Sequence, residues 1–149
     1  MGDGVEFMRR HKAEFDVVIV DSTDPVGMAE GLFGERFYRD VKAALRGRGL
    51  MVAQTESPFF GFETWKRIFG ELGRAFRKVR GYHAAIPMYP SGHWTFAFAS
   101  DELEPQTCFD RRRADALSGL RYYTAGLQRG AFLMPAYARG IVDLEPGDV

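Results

Sequence analysis

The chain has 149 residues and a mass of 16.8 kDa, which suits a single domain. Its 20 Lys and Arg residues balance its 20 Asp and Glu residues. This zero net charge argues against a strongly basic nucleic-acid-binding protein and against a polybasic membrane-binding patch. A hydrophobic content of 46% is enough for a packed core and excludes an intrinsically disordered chain. No apolar run approaches the length of a membrane span, and the lone Cys108, which cannot form an internal disulfide, fits a cytoplasmic location.

The first half of the chain alternates helical and strand patterns. The run at 15–20 is continuous, apolar and β-branched, which is typical of a strand buried on both faces of a parallel sheet. The stretch 46–49, Arg-Gly-Arg-Gly, indicates a C-cap that ends the preceding helix. The predicted elements are a helix over 5–14, a strand over 15–20, a helix over 35–45, a strand over 50–54 and a helix over 62–76.

The second half of the chain begins with two further strands, predicted over 79–86 and 93–99. The short loop between them favours an antiparallel hairpin. Beyond it the pattern is mixed, with a solvated helix start at 111–113 and a helix-like stretch over 135–142. Strand, helix, strand, helix and a strand pair make up the second half of a doubly wound α/β sheet, so we expect a Rossmann-like fold.

Ligands of open α/β sheets bind beyond the carboxyl ends of the strands. Three loops occupy that position here, at 21–27, 54–58 and 87–92, and they contain no Lys or Arg. Their acidic and hydrogen-bonding side chains predict a rim that suits a cation, either an organic amine or a metal ion. The rim residues are Asp21, Asp24, Gln54, Glu56 and Tyr89.

The two aspartates at the first loop suggest a diamine. Neighbouring carboxylates raise each other's proton affinity unless a cation lies between them, and a flexible diammonium is a natural choice. Plainer interpretations remain open at this point. Asp21, Asp24 and Asp3 could each cap a following helix, Tyr89 could be an ordinary loop aromatic, and Trp94 could pack the hairpin.

A metal-dependent enzyme is disfavoured by the positions of the histidines. The three of them, His11, His83 and His93, lack the spacing of metal ligands. A hydrolase built on Asp21, Asp24 and Glu56 would therefore have no histidine ligand. The chain also contains neither a P-loop nor a complete Gly-x-Gly-x-x-Gly motif.

Motifs along most of the chain resemble those of the spermidine synthases, the polyamine aminopropyltransferases. The most specific are Asp-Ser-Thr-Asp-Pro at 21–25 and Tyr-Pro-Ser-Gly at 89–92. Further similar segments are Gly-Asp-Gly-Val-Glu-Phe at 2–7, Ala-Gln-Thr-Glu-Ser-Pro at 53–58, Phe-Ala-Phe-Ala-Ser at 96–100, Leu-Arg-Tyr-Tyr at 120–123 and Ala-Phe-Leu-Met-Pro at 131–135.

This resemblance implies transfer of a 3-aminopropyl group from decarboxylated S-adenosylmethionine to putrescine, which yields spermidine and methylthioadenosine. Decarboxylated S-adenosylmethionine is a co-substrate, and no separate cofactor or metal is implied. The alternatives are another acceptor amine (agmatine, cadaverine or spermidine) and a non-catalytic polyamine-binding protein on the same scaffold.

The resemblance also implies roles for individual residues of the diamine site. Asp21 resembles the family's proton acceptor, Asp24 its partner in holding the diamine, and Tyr89 the tyrosine that hydrogen-bonds the amine. The remaining expected members are the side chains of Gln54 and Trp94 and the backbone of Ser22 and Thr23.

For the nucleoside, Asp3 and Gly4 resemble the pair that reads the adenine, and Met28 stands at the edge of the methylthioadenosine pocket, where the family usually has proline. The family also has an N-terminal β-rich region and a glycine-rich nucleotide loop, and 1–149 contains neither. We therefore expect this chain to be the C-terminal part of the catalytic domain, with little or no activity alone. The full-length form is expected to be a homo-oligomer that acts on small molecules.

Overall fold

The computed structural model describes residues 3–22 and 31–144. Its elements follow the predicted alternation of strands and helices. In chain order they are α1 (Gly4–Arg10), β1 (Phe15–Val20), α2 (Glu35–Ala44), β2 (Leu45–Gln54), α3 (Phe62–Ala75), β3 (Lys78–Ala85), β4 (His93–Ser100), α4 (Arg111–Asp115), α5 (Ala125–Ala131), a 3-10 turn (Ala136–Ala138) and β5 (Asp143–Leu144). None of the helices in these two ranges combines the length and the apolar character needed to cross a membrane.

The five strands form one mixed sheet in the order β1-β2-β4-β3-β5. β1 runs parallel to β2, and β4 lies between β2 and β3 and is antiparallel to both. The predicted α/β class and the predicted hairpin are thus confirmed. β5 was not predicted, because a strand of two residues leaves no periodic pattern in the sequence.

The core lies on one face of the sheet, under α2 and α3. The apolar stripe of α3 is completely buried, and α2 contributes a second buried stripe beside it. Alanines at 97 and 99 leave room on β4 for the bulky side chains of these helices. The main contributors are Phe37, Tyr38, Val41, Met51, Trp65, Ile68, Phe69, Leu72 and Val79.

β1 is not buried on both faces as its sequence predicts. It pairs with β2 and with no other strand of the described residues, and the side chains of Val17 and Ile19 are 50% and 72% exposed. An apolar, β-branched run predicts burial only when the neighbouring elements that would cover it are present.

Three predicted boundaries are also wrong. α2 ends at Ala44 because Leu45 adopts an extended backbone and its N–H bonds back to Lys42 and Val41, so 46–49 belongs to β2 and is not a C-cap. α1 ends at Arg10, since His11 is extended, and 135–142 contains only a 3-10 turn. The predicted helix start at 111–113 is confirmed, with the Asp110 side chain accepting a hydrogen bond from Arg113 N.

Candidate active site

The carboxyl ends of β1 and β2 open into a cleft of about 950 Å³, closed on its other side by the loop between β3 and β4. Five residues of the predicted diamine set line it together: Asp21, Ser22, Gln54, Tyr89 and Trp94. The apolar wall consists of Ile19, Val20, Val52, Tyr82, Ile86 and Phe96. Three further predicted site residues, Thr23, Asp24 and Met28, lie outside the described residues.

Gln54, the last residue of β2, connects the parts of this cleft. Its Nε2 donates to the carbonyl of Ser22 at 3.2 Å and to Glu56 Oε1 at 2.8 Å. Its Oε1 accepts from Trp94 Nε1 at 3.0 Å and from the backbone N–H of Glu56 at 2.9 Å. A carboxamide has two N–H donors and two acceptor lone pairs, so every hydrogen-bonding position of this 5% exposed side chain is used.

Tyr89 lies over the indole of Trp94, with 4.3 Å between the ring centroids and 26° between the planes. The loop makes this possible by folding back on itself. Ile86 N donates to Gly92 O at 2.9 Å, and Gly92 N donates to Tyr89 O at 2.9 Å. Gly92 has φ +63°, a left-handed conformation that favours glycine. Tyr89 stays 43% exposed at the mouth of the cleft.

The cleft is acidic and aromatic in character. None of the residues that line it, all within the described ranges, is a lysine or an arginine. Asp21 is exposed at its rim, and the carboxylate of Glu56 is held just behind Gln54. Tyr82 stacks on Phe96 at 5.2 Å, and burial raises the pKa of its phenol to about 12, so this wall stays uncharged. The arrangement suits an organic cation with an apolar backbone.

The predicted nucleoside pair lies elsewhere. The carboxylate of Asp3 accepts a hydrogen bond from Val5 N at 2.8 Å and caps α1, whose first residue is Gly4. Neither residue lines the cleft. The capping interpretation of Asp3 is therefore confirmed, and its expected contact with adenine stays a prediction.

Sequence reasoning missed the apolar members of the cleft, although a signal was available. Val52 and Phe96 each lie two residues from a predicted site residue on the same strand, and alternation along a strand puts such pairs on one face. It also missed a second, mostly apolar cavity of about 650 Å³ on the same face, between the sheet and α4 and α5. That cavity is lined by Phe98, Phe132 and Leu117 among others, and Tyr82 borders both cavities.

Comparison with known proteins identifies the family. The model of the spermine/spermidine synthase domain matches residues 1–111. The chain belongs to the spermine/spermidine synthase family. The strand ends that form the cleft, 20–22, 54–56 and 86–94, all fall inside the matched region.

Curated members of the family are similar over nearly the whole chain. The polyamine aminopropyltransferase of Desulforudis audaxviator is 44% identical over 138 residues, which are 92% of this chain and 49% of that protein. The polyamine aminopropyltransferase of Clostridioides difficile is 42% identical over 147 residues, 96% of this chain and 52% of that protein. The chain thus spans about half the length of the curated relatives it matches.

Solved structures of the family have the same fold. A spermidine synthase in complex with the transition-state analogue AdoDATO superposes with a TM-score of 0.89 at 34% identity, over 93% of this chain and 48% of that one. The spermidine synthase from Thermotoga maritima gives a TM-score of 0.86 at 34% identity, over 93% of this chain and 47% of that one. The Rossmann-like assignment is thereby confirmed for the part of the fold that this chain contains.

Proposed function

We propose that this chain supplies the amine-binding side of an aminopropyltransferase that moves a 3-aminopropyl group from decarboxylated S-adenosylmethionine to putrescine. The observation that carries the proposal is the cleft itself. An exposed carboxylate at Asp21 and the amide of Gln54, which is hydrogen-bonded to Glu56, line an aromatic cleft. Within the described part of the chain, its lining residues include no basic side chain. The names of the family's curated members agree with this chemistry.

The proposed chemistry makes Asp21 the group that accepts a proton from the amine. A primary amine has a pKa near that of lysine, about 10.4, so putrescine arrives as a dication that is not nucleophilic. Asp21 attracts the ammonium and accepts one proton from the attacking nitrogen. The nitrogen then bonds to the propyl carbon beside the sulfonium, and the carbon–sulfur bond breaks. Its electron pair stays on sulfur, which leaves neutral methylthioadenosine.

Positioning accounts for much of the expected rate, because two flexible cations must be aligned for in-line attack. Tyr89 and Trp94 form a stacked aromatic pair at the cleft, where the diamine would lie. Aromatic faces attract ammonium groups by about 0.5–1 kcal/mol at exposed sites. The depth of the cleft limits the length of the amine that can bind. Agmatine, cadaverine and spermidine remain alternative acceptors within the same proposal.

Titration of the purified chain with putrescine, by calorimetry, tests the binding step directly. Asp21→Asn should weaken putrescine binding about tenfold, since a charged hydrogen bond contributes roughly 1.5 kcal/mol or more. Asp16→Asn is the matched control. Asp16 lies in β1, the strand that Asp21 follows, and it is exposed, outside the cleft and paired with Arg46 at 2.8 Å. Equal affinities for the two variants would contradict the proposed role of Asp21.

Turnover is measured separately, as release of methylthioadenosine from decarboxylated S-adenosylmethionine in the presence of putrescine. In the full-length protein, Asp21→Asn should abolish this release, and Asp16→Asn should retain it. A full-length protein that binds putrescine but releases no methylthioadenosine, as wild type and as Asp21→Asn alike, would support the alternative of a non-catalytic polyamine-binding protein.

Association with further copies is a separate part of the proposal. The strand β1, with Val17 and Ile19 exposed, offers an unpaired backbone edge and apolar side chains within the described residues. These features favour assembly into a homo-oligomer. Sedimentation velocity over a tenfold concentration range should show a species heavier than 16.8 kDa; a concentration-independent monomer would contradict it.

A further inference from the structure

The residue behind the acidic rim, Glu56, has an unusual backbone. Its φ is +72°, in the left-handed region that non-glycine residues seldom adopt. This conformation turns the Glu56 N–H back toward Gln54 Oε1 and brings the Glu56 carboxylate to Gln54 Nε2, which closes a reciprocal pair. Such a conformation persists only where its surroundings hold it.

Hydrogen bonds from Thr95, on the neighbouring strand β4, hold Glu56 in this conformation. The Glu56 carbonyl accepts two hydrogen bonds from this one residue, from the backbone N–H at 3.1 Å and from Oγ1 at 2.6 Å. Thr95 is completely buried, and its own carbonyl accepts from Thr55 N at 3.0 Å. Two hydrogen bonds from Thr95 therefore fix the direction of the Glu56 carbonyl.

The hydroxyl proton of Thr95 can be assigned by counting donors and acceptors. A hydroxyl has one proton and two lone pairs. The proton goes to the Glu56 carbonyl, so Trp65 Nε1 at 2.8 Å and the hydroxyl of Thr55 at 2.9 Å must both donate to Thr95 Oγ1. The direction follows because the Glu56 carbonyl can only accept and the Trp65 indole can only donate. The side chains of Thr95, Trp65 and Thr55 are all completely buried.

We propose that Thr95 is a positioning residue for the amine-binding cleft. Its hydroxyl accepts from the Trp65 indole of α3 and donates to the Glu56 carbonyl. It thereby holds Glu56 in the left-handed conformation and fixes the hydrogen-bonded partner of Gln54, which lines the cleft. The inference rests on the proposed function for its effect on the diamine. Its effect on the Glu56 backbone is independent of that function.

Thr95→Val removes the hydroxyl and keeps the shape of the side chain, so it should weaken putrescine binding about fivefold, the value of one ordinary hydrogen bond. Thr95→Ser keeps the hydroxyl and should bind as the wild type does. Thr55→Val is the matched control, because it removes a buried hydroxyl of the same cluster and leaves the bond from Thr95 to Glu56 intact. A merely structural role would make both valine variants unstable and would leave the putrescine affinity equal in the two.

The second measurement follows the backbone itself. In an isotope-labelled chain, a strong intraresidue HN–Hα cross-peak at Glu56 reports its positive φ. This cross-peak should weaken in Thr95→Val and persist in Thr55→Val and Thr95→Ser. Thr95→Val alone leaves the Trp65 indole N–H without its acceptor in the core. If that variant does not fold, the double variant Trp65→Phe/Thr95→Val, which lacks this N–H, replaces it in both measurements.

The outcomes separate the two proposals. If wild-type chain does not bind putrescine, the proposed function fails, and the Glu56 cross-peak alone decides the role of Thr95. If wild type binds putrescine and Thr95→Val binds it equally, with an unchanged cross-peak, the positioning role is overturned and the proposed function stands.

Discussion

The imidazole rings of His83 and His93 stack on each other, with 5.0 Å between centroids and 21° between planes, at the base of the loop that holds Tyr89. The hydroxyl of Tyr137 lies 3.2 Å from His93 Nε2, and Phe59 packs edge-on against the same ring. Burial, and then the neighbouring His83, lower the pKa of His93 below its usual 6.5. The stack therefore favours the neutral form of His93.

His93 should make the free energy of unfolding depend on pH. Because the pKa of His93 is lower in the folded chain, the unfolded chain binds more protons once the pH falls below about 6.5. Stability should thus be fully present above this pH and should fall as the pH drops through 6.5 toward the folded pKa. Urea denaturation between about pH 7.5 and 5.5 measures it. His93→Gln should flatten this part of the profile, and an unchanged slope in that variant would contradict the assignment.

Two glycines should respond to alanine with opposite signs. Gly92 has φ +63° and closes the loop under Tyr89, so Gly92→Ala should lower the free energy of unfolding by about 1 kcal/mol and disturb the Tyr89–Trp94 stack. Gly70 lies inside α3, and a β-carbon there would meet no atom within 4 Å. Gly70→Ala should therefore raise stability by about 0.5–1 kcal/mol. Thermal unfolding measures both, and near-ultraviolet circular dichroism should change in Gly92→Ala only.

The parts of the fold that could be predicted are those with a local pattern. The α3 stripe around Trp65 follows a helical period, and the β-branched run at 15–20 forms the strand it predicts. The beginning of β2 at Leu45 could not be predicted, because its register with Phe15 is set by a contact 30 residues away in sequence and overrides the glycines at 47 and 49.

The site shows the same division. The positions of Asp21 and Gln54 at the ends of strands, and of Tyr89 in the loop between β3 and β4, follow from the order of elements. The hydrogen bonds that the Gln54 amide makes to Ser22 and to Trp94 could not be predicted in this way, since these partners are 32 and 40 residues away in sequence. The left-handed backbone of Glu56 could not be predicted from the sequence either, because this conformation depends on the buried Thr95.

The bond between Trp94 and Gln54 should appear as a coupling energy. Trp94→Phe removes the indole N–H that donates to Gln54 Oε1 at 3.0 Å, and Gln54→Ala removes its acceptor. A double-mutant cycle on the free energy of unfolding should give a coupling of about 1 kcal/mol. Gln54→Ala alone should cost more, about 2 kcal/mol, because it also leaves the Ser22 carbonyl and the Glu56 N–H without this partner. Additive single variants would contradict the bond.

Gly81 of β3 leaves no room for a side chain beneath the C-terminal segment. Its N–H donates to Val142 O at 2.8 Å, and a β-carbon on it would lie 2.5 Å from Cβ of Val142. Gly81→Ala should therefore lower the free energy of unfolding by about 1–3 kcal/mol, as other overpacked core positions do, and should expose the amides of Asp143 and Leu144 to hydrogen exchange.

The identity of the clashing atom makes this prediction specific. Val142→Ala should not rescue Gly81→Ala, because alanine keeps the Cβ that lies 2.5 Å away. Val142→Gly removes that atom and should restore protection of the β3–β5 pairing in the double variant, although the lost valine side chain keeps its overall stability below that of the wild type. If Val142→Ala rescued the pairing as well as Val142→Gly does, the contact would involve the γ-methyl groups of Val142, which lie 3.0 and 3.1 Å away, and the close approach of the two backbones would not be the cause.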